Sequence, residues 1–521
     1  MNTFAQNFAE EANLSYTENG GVCLESTLNA NLDFFSMSGG LRGDPRIGEL
    51  YAKALKESLP MAVKNLFYLR DIRNGMGERS SFVHCFKLLL NEISDAEQVE
   101  GLFKEIGEYG RWSDLFALMN DIKAEHFDIA CQVVKEQLKE DWELMEEGKS
   151  ISLLAKWFPL SNNRHNPEAI RRARRISEAC CGSDRNARKL IVPLRRHIGV
   201  IEQKISEGKW DDIEYSKLPS GAGLKYRQAF WRHDGERYGA YLEKVAKGEA
   251  KINSGTLMPY DLVRKECSQN GTDATIEELW KALPDWTNNQ SSIVVADVSG
   301  SMYSTSGGWS RRFDEGSKPA PIFVSTSLAM YFAEKAKGAF KDFTITFSEH
   351  PKCFRLDPNE SLYARFMKME REGGLNTDIQ KVFEMYISLA KDSKPEDCPK
   401  NLVIISDMEF DAIDDNAAYW RASNQEEAKK EVFERRKTIF HKVDLMFKKA
   451  GVERPTLVFW NVNSRQSNVP VSKDEYGTIL VSGFSPTIFQ YIVTGDVNPE
   501  KFMVETLSNY DCILERTGIA K

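Results

Sequence analysis

The chain has 521 residues, 41% of them hydrophobic and 28% charged, with a formal net charge of −8. That length exceeds one ordinary core and predicts two or more domains, while the acidic balance excludes a bulk polycation, so any nucleic-acid partner needs a local basic patch. Nine scattered cysteines without a CxxC pair exclude a disulfide framework and a zinc knuckle.

Met1 to Glu10 has neither a basic start nor an apolar core, so no signal peptide is expected. No stretch approaches the roughly 18 apolar residues that span a bilayer. The expectation is a cytoplasmic, reduced protein with no membrane partner.

In chain order, Met61–Leu69, Phe82–Leu90, Asp114–Met119 and Phe127–Trp142 carry apolar residues at three- and four-residue steps, which predicts helices. Breaks fall at Pro60, Asn74-Gly75, Gly107, Gly110 and Gly148. Many helices with brief connections predict antiparallel helix pairs stacked as an all-α solenoid over residues 1–286. Within it, residues 156–204 carry twelve positive charges: Lys156, Arg164, Arg171, Arg172, Arg174, Arg175, Arg185, Arg188, Lys189, Arg195, Arg196 and Lys204. They face only Glu168, Glu178, Asp184 and Glu202. In an acidic chain this asymmetry points to phosphate, since the arginine fork suits it, with Trp157, Phe158, Trp210, Tyr226 and Trp231 near enough to stack bases. A solvated helix face paired with acids elsewhere is the alternative.

From residue 291 the pattern changes. Ser292–Ala296, Phe343–Phe347, Leu402–Ile405, Thr456–Trp460 and Thr478–Val481 are short β-branched or aromatic runs. Helical patterns alternate with them: Ile379, Val382, Phe383, Tyr386, Ile387 and Ala390 share one face, and Glu426–Ala450 reads as a long charged helix. Residues 291–521 are therefore expected to form an α/β domain with a doubly wound parallel sheet, whose ligands sit at the carboxyl ends of strands.

Directly after the first of these strands stands Asp297-Val298-Ser299-Gly300-Ser301, which offers one carboxylate and two hydroxyls from one turn. Hard oxygens of this kind suit Mg²⁺, or another divalent cation such as Mn²⁺. Ile404-Ile405-Ser406-Asp407 brings a second carboxylate to the same sheet edge, and Gly373-Gly374-Leu375-Asn376-Thr377-Asp378 forms a loop opening a helix. The pattern resembles the metal-ion-dependent adhesion site (MIDAS) of von Willebrand factor A domains. The resemblance implies Asp297, Ser299, Ser301, Thr377 and Asp407 as metal-binding residues. It departs at Leu375, where that family carries its threonine ligand, so Asn376 or Thr377 is expected to take that place; Thr377 matches the second threonine, which also reads as a helix N-cap. No catalytic residue is expected: His350 and His441 belong to no motif, although a metal-dependent phosphoesterase remains the enzymatic alternative. Asp411, Asp414 and Asp415 read either as a solvated insertion or as a second ion site.

Phe67–Arg79, Gly110–Leu115 and Lys209–Ser220 resemble segments of the TROVE (telomerase, Ro and vault) family. Thr17–Gly20, Lys251–Gly255 and Gly483–Ser485 resemble a group of microbial, phage and fungal proteins that joins such a helical half to an A domain. The resemblance implies a HEAT-like helical half able to form a ring, binding small structured or defective RNAs in a ribonucleoprotein. On that reading Arg164, Arg171, Arg172, Arg174, Arg175, Arg185, Arg188, Lys189, Arg195 and Arg196 contact RNA, and the A domain binds a protein partner through its metal. The competing reading is a protein-interaction adapter that uses the metal site without nucleic acid.

Overall fold

The computed structural model describes residues 12–161, 166–269, 271–288, 290–305, 308–309, 318–374, 376–411, 438–493, 495 and 497–520. The chain forms two compact units, each built from separated stretches. The first comprises Met1–Glu57 with Leu257–Thr506, the second Ser58–Thr256 with Leu507–Lys521. This division corrects the sequential halves 1–286 and 291–521. Residues 12–57 and the helices Pro259–Gln269 and Ala274–Lys281 belong with the sheet, and residues 507–520 belong with the helices.

The first unit opens with a small antiparallel hairpin, β1 (Leu14–Tyr16) and β2 (Val22–Leu24), so the N-terminal stretch is not wholly helical. The central sheet contains β3 (Ser292–Asp297), β4 (Phe343–Phe347), β5 (Lys352–Arg355), β6 (Asn401–Ser406), β7 (Thr456–Asn461) and β8 (Thr478–Ser482), in the order β8-β7-β6-β3-β4-β5. Every neighbouring pair is parallel except β4 and β5, so the sheet is mixed rather than purely parallel. In register, Val295 lies opposite Ile345 on one side and Ile404 on the other.

β6, β7 and β8 are buried along their whole length, which is why they read as continuous apolar runs instead of alternating ones. On one face Val295, Ile404, Leu457 and Phe459 pack against Ile379, Val382, Phe383 and Tyr386 of the helix Ile379–Lys391, and against Phe440, Val443 and Phe447 of the helix Ile439–Ala450. The expected helix from Glu426 is seen only from Ile439; residues 412–437 lie outside the described residues. The helix Pro321–Lys335 is buried from Pro321 to Ala333 and contacts β3. Helices on both faces make the sheet doubly wound.

The second unit is helical. Ala96–Tyr109, Ala124–Glu146, Pro167–Cys181 and Asp184–Ile198 pack in succession, and Asp511–Thr517 returns against Ala96–Tyr109 and Leu59–Arg70. Local chemistry sets the ends of the two basic helices. Asn166 accepts from Ala169 N and Ser183 from Asn186 N at their starts, while Gly182 and Gly199 stop them in the left-handed conformation. Among the described residues no helix is long and apolar enough to cross a membrane.

Candidate metal centre and basic helical face

β3 and β6 are adjacent, yet the chain leaves β3 toward β4 on one side and reaches β6 on the other. The strand order therefore reverses between them, and their carboxyl ends flank the crevice where open α/β sheets take ligands. Asp297 ends β3 and Asp407 directly follows β6, so the topology brings both carboxylates to that crevice.

Both are buried. Asp297 Oδ1 accepts from Ser299 N at 2.9 Å and Oδ2 from Ser406 Oγ at 2.6 Å. Ser299 Oγ and Ser301 Oγ lie 3.1 Å apart, and Ser301 hydrogen-bonds the Asp407 carboxyl. Asp407 Oδ1 accepts from Glu409 N at 3.3 Å. Burial and then the charge of Asp407 push Asp297 up to about 7, and burial raises Asp407 as well. Two carboxylates removed from water beside each other resist joint ionisation.

The 373–378 loop closes the third side. A Cβ on Gly373 would stand 2.9 Å from Val298 O, and one on Gly374 2.9 Å from Ser348 Oγ, so the pair of glycines lets the loop lie against the ends of β3 and β4. Thr377 is buried, with its N–H on Asp411 Oδ2 at 3.0 Å. It is not the helix cap: Asp378 accepts from Lys381 N and caps Ile379–Lys391. Leu375, Asp414 and Asp415 lie outside the described residues.

Thr377 Oγ1 and Asp407 Oδ2 are buried without a hydrogen-bond partner. Such atoms are costly unless a further group satisfies them. Hydroxyls, two repelling carboxylates and two orphaned oxygens together fit a hard divalent cation, which needs oxygen donors and tolerates water in its remaining positions. Among the described residues no three His, Cys, Asp or Glu side chains converge in metal-ligand geometry, so a cation here would rely on two carboxylates supplemented by hydroxyls.

The hairpin of the first unit borders this centre. Glu409 Oε2 accepts from Glu18 N at 2.7 Å, Asn19 Nδ2 donates to Glu409 O at 2.6 Å, and Thr17 Oγ1 donates to Phe410 O at 2.7 Å. Arg465 pairs with Glu18 at 2.6 Å and stands 3.9 Å from Asp407 Oδ2. Sequence reading missed Ser406, Glu409 and Arg465. Ser406 was signalled by its place before Asp407, whereas the other two depend on long-range pairing. His350 and His441 are exposed and are not among the hydrogen-bond partners of either aspartate.

On the second unit, Arg171, Arg172, Arg174 and Arg175 are exposed on the 167–181 helix, and Arg185, Lys189 and Arg196 on the 184–198 helix. Three of these ten candidates serve the fold. Arg172 pairs with Glu168, Arg188 Nε with Asp184 at 3.0 Å, and Arg195 donates to Ala155 O at 2.8 Å and Phe158 O at 2.6 Å. The Arg175 guanidinium lies 4.0 Å from the Phe127 ring centroid. Among the described residues Arg171, Arg174, Arg185, Lys189 and Arg196 have no carboxylate within ion-pair distance. Arg164 lies outside the described residues.

Residues 291–512 match the family model described as "Domain of unknown function (DUF7788)", and residues 109–301 the one described as "Domain of unknown function (DUF2828)". An uncharacterized protein of Acanthamoeba polyphaga mimivirus is 26% identical over 536 residues, covering 96% of this chain and 88% of its own. Among solved structures, the crystal structure of the Deinococcus radiodurans Ro (RSR) protein matches at a TM-score of 0.48 and 11% identity, covering 93% of this chain and 100% of that one. The chain is thus similar along nearly all its length to a viral protein of unknown role, and in its two parts to two domains of unknown function.

Proposed function

We propose that this protein is a non-catalytic RNA-binding protein, with an A-type domain that holds a divalent cation and engages a protein partner. The observation that carries the RNA reading is the uncompensated basic face. Arg171, Arg174, Arg185, Lys189 and Arg196 are exposed on two consecutive helices of an acidic chain. Solvent alone would screen them, but a polyphosphate backbone paired with them would release its own condensed cations to bulk solution and gain affinity at low salt. The resemblance of Phe67–Arg79, Gly110–Leu115 and Lys209–Ser220 to TROVE segments supports the same reading, and small structured or defective RNAs are the substrate class it implies.

For the first unit, the strand order, the antiparallel edge strand and the cluster at the switch point support a von Willebrand factor A-type fold with a MIDAS-like centre. Asp297, Ser299, Ser301, Thr377 and Asp407 would hold Mg²⁺ or Mn²⁺. A bound cation supplies a positive centre for a partner's oxygen ligand. The chain's own residues orient that centre: Ser406 and the Ser299 N–H fix the Asp297 carboxylate, and Glu409 N–H fixes that of Asp407. Among the described residues no positioned general base accompanies them, which favours binding over hydrolysis.

The test is a filter-binding titration with a structured RNA, comparing wild type with R171E/R174E/R185E. The expected result is at least a tenfold loss, on the order of what a few lost phosphate contacts remove, with a shallower salt dependence. Unchanged affinity would remove the basic face from the account. An adapter reading is favoured by one observation, that every candidate metal ligand belongs to the first unit alone. It expects a Mg²⁺-dependent protein complex that survives the same charge reversal.

A further inference from the structure

Arg70, Arg79 and Arg111 take part in neither site above, yet they converge on one carboxylate. Asp114 is fully buried. Arg70 Nε donates to its Oδ2 at 2.8 Å, Arg79 Nε to its Oδ1 at 2.8 Å, and the backbone N–H of Arg111 to Oδ2 at 3.0 Å. Asp114 thus neutralises at most one charge while holding Arg70 and Arg79 and fixing the backbone that presents Arg111. The Arg70 side chain is buried, but that of Arg79 is 51% exposed. Its Nη2 reaches Ser113 Oγ at 3.2 Å, and the fork carries further N–H donors beyond these two bonds.

Arg111 and Lys156 meet at an aromatic ring. The Arg111 guanidinium lies 5.7 Å from the Trp157 ring centroid, and Lys156 Nζ lies 5.6 Å from it. Among the described residues neither cation has a carboxylate within ion-pair distance. Burial and the nearby charges of Arg70 and Arg79 lower the Arg111 pKa, as expected for a cation crowded by its own kind. Three cations (Arg70, Arg79 and Arg111) stand around one anion, Asp114, and Lys156 joins Arg111 at the Trp157 ring. The nearby Arg73 is already drawn toward Glu108, at 4.0 Å.

The turn carrying Lys156 and Trp157 is held in place. Arg195 donates to Ala155 O and Phe158 O on either side of them, and the Phe158 ring packs edge-on against Phe116 at 5.4 Å. Arg195 lies on the 184–198 helix, so the cluster joins the basic face through a direct contact within one unit. Trp157 is half-buried, which leaves part of the indole to solvent.

We infer that Arg79, Arg111, Lys156 and Trp157 form a nucleotide subsite. It takes a backbone phosphate of a single-stranded RNA segment among the three cations and an adjacent base against the indole. Paired cations match a phosphate, and a flat ring with cations at its rim matches an unstacked base without regard to sequence. An acidic peptide would use the cations and leave the indole idle. The inference rests on the RNA reading above and extends it from the 167–198 helices to a second, single-strand contact.

Fluorescence anisotropy of full-length protein with labelled decauridylate, at about 50 mM and about 200 mM KCl, tests it. R111Q/K156Q is expected to lose at least about tenfold in affinity at the lower salt. Its salt slope should be shallower by roughly 0.7, the value for one single-strand phosphate contact. Trp157→Ala should weaken binding by about fivefold or more with the slope unchanged, since stacking releases no counterion. Thermal melts of both variants check the fold, and the double variant alters only exposed or half-exposed cations. A hairpin RNA is the second probe, with R171E/R174E/R185E as the reference variant. Unchanged affinity and slope in R111Q/K156Q, or wild-type protein that binds the hairpin but not decauridylate, overturns the subsite and leaves the RNA reading standing. Wild-type protein that binds neither probe overturns both. Equal competition by polyglutamate and oligouridylate, with Trp157→Ala silent, overturns the nucleotide assignment.

Discussion

At the scale of single residues, the two buried aspartates dominate. Asp297 is pushed up to about 7 by burial and by Asp407. A raised carboxyl pKa means the folded state holds the proton more tightly than the unfolded chain. The stability this contributes is complete below about pH 4 and is lost as pH rises through about 7. Metal-free protein should therefore lose stability across that window, and stabilisation by Mg²⁺ should grow over it as the proton leaves. Melts at several pH values, with EDTA and with Mg²⁺, read both trends; parallel curves would contradict the assignment. Asp297→Ala should abolish Mg²⁺ stabilisation while the EDTA melt stays within about 5 °C of wild type, because the lost acceptor is offset by relief of the buried charge. Global unfolding of that variant would make the aspartate structural instead. Asp114→Asn belongs to the other class. It leaves the buried Arg70 without its counter-charge and should cost about 3–5 kcal/mol, visible as a large shift in the urea midpoint.

At the scale of elements, close backbone approach explains what small residues do. A Cβ on Gly39 would stand 2.3 Å from the Gly483 backbone. Gly39→Ala should therefore cost at least about 1–3 kcal/mol, since backbone cannot move aside as a side chain end can. An unchanged urea midpoint would show that the contact yields. β3, β6, β7 and β8 were legible in the sequence because strands buried on both faces read as apolar runs, and Asp297 and Asp407 followed because each ends such a run. β5 was not legible: Lys352-Cys353-Phe354-Arg355 is a four-residue edge strand with charged ends and no apolar face. β1 and β2 have three residues each, and their hairpin is placed by bonds such as Thr17 Oγ1 to Phe410 O, nearly four hundred residues away. No local pattern carries that information. The basic helices were legible by composition, but not that Arg188 and Arg195 serve internal bonds.

At the scale of the whole molecule, both units are discontinuous in sequence, so each depends on chain ends that local reading assigns elsewhere. In the helical unit, Lys64 pairs with Asp511 at 3.0 Å, Tyr510 Oη donates to the buried Asp71 carboxylate at 3.1 Å, and Arg516 pairs with Glu105 at 3.1 Å. Tyr510, Ile513 and Leu514 are buried with them. Truncation after Thr506 should accordingly destabilise the helical unit by several kcal/mol, since three large side chains lose their burial at about 1.5–3 kcal/mol each. Limited proteolysis that cuts residues 58–256 faster in the truncated protein would bear this out, and an unchanged cleavage rate would not. The same architecture puts the basic face on one unit and the candidate cation site on the other, so each activity can be removed by substitution without touching the other's residues.

Purification of the protein from its own cells, with extraction and sequencing of the bound nucleic acid, decides whether it carries RNA as proposed. The expected yield is discrete small or structured RNAs that dissociate at high salt and are missing from R171E/R174E/R185E. A preparation free of nucleic acid, holding instead a protein that chelation releases, would contradict it and leave the metal site as the functional centre.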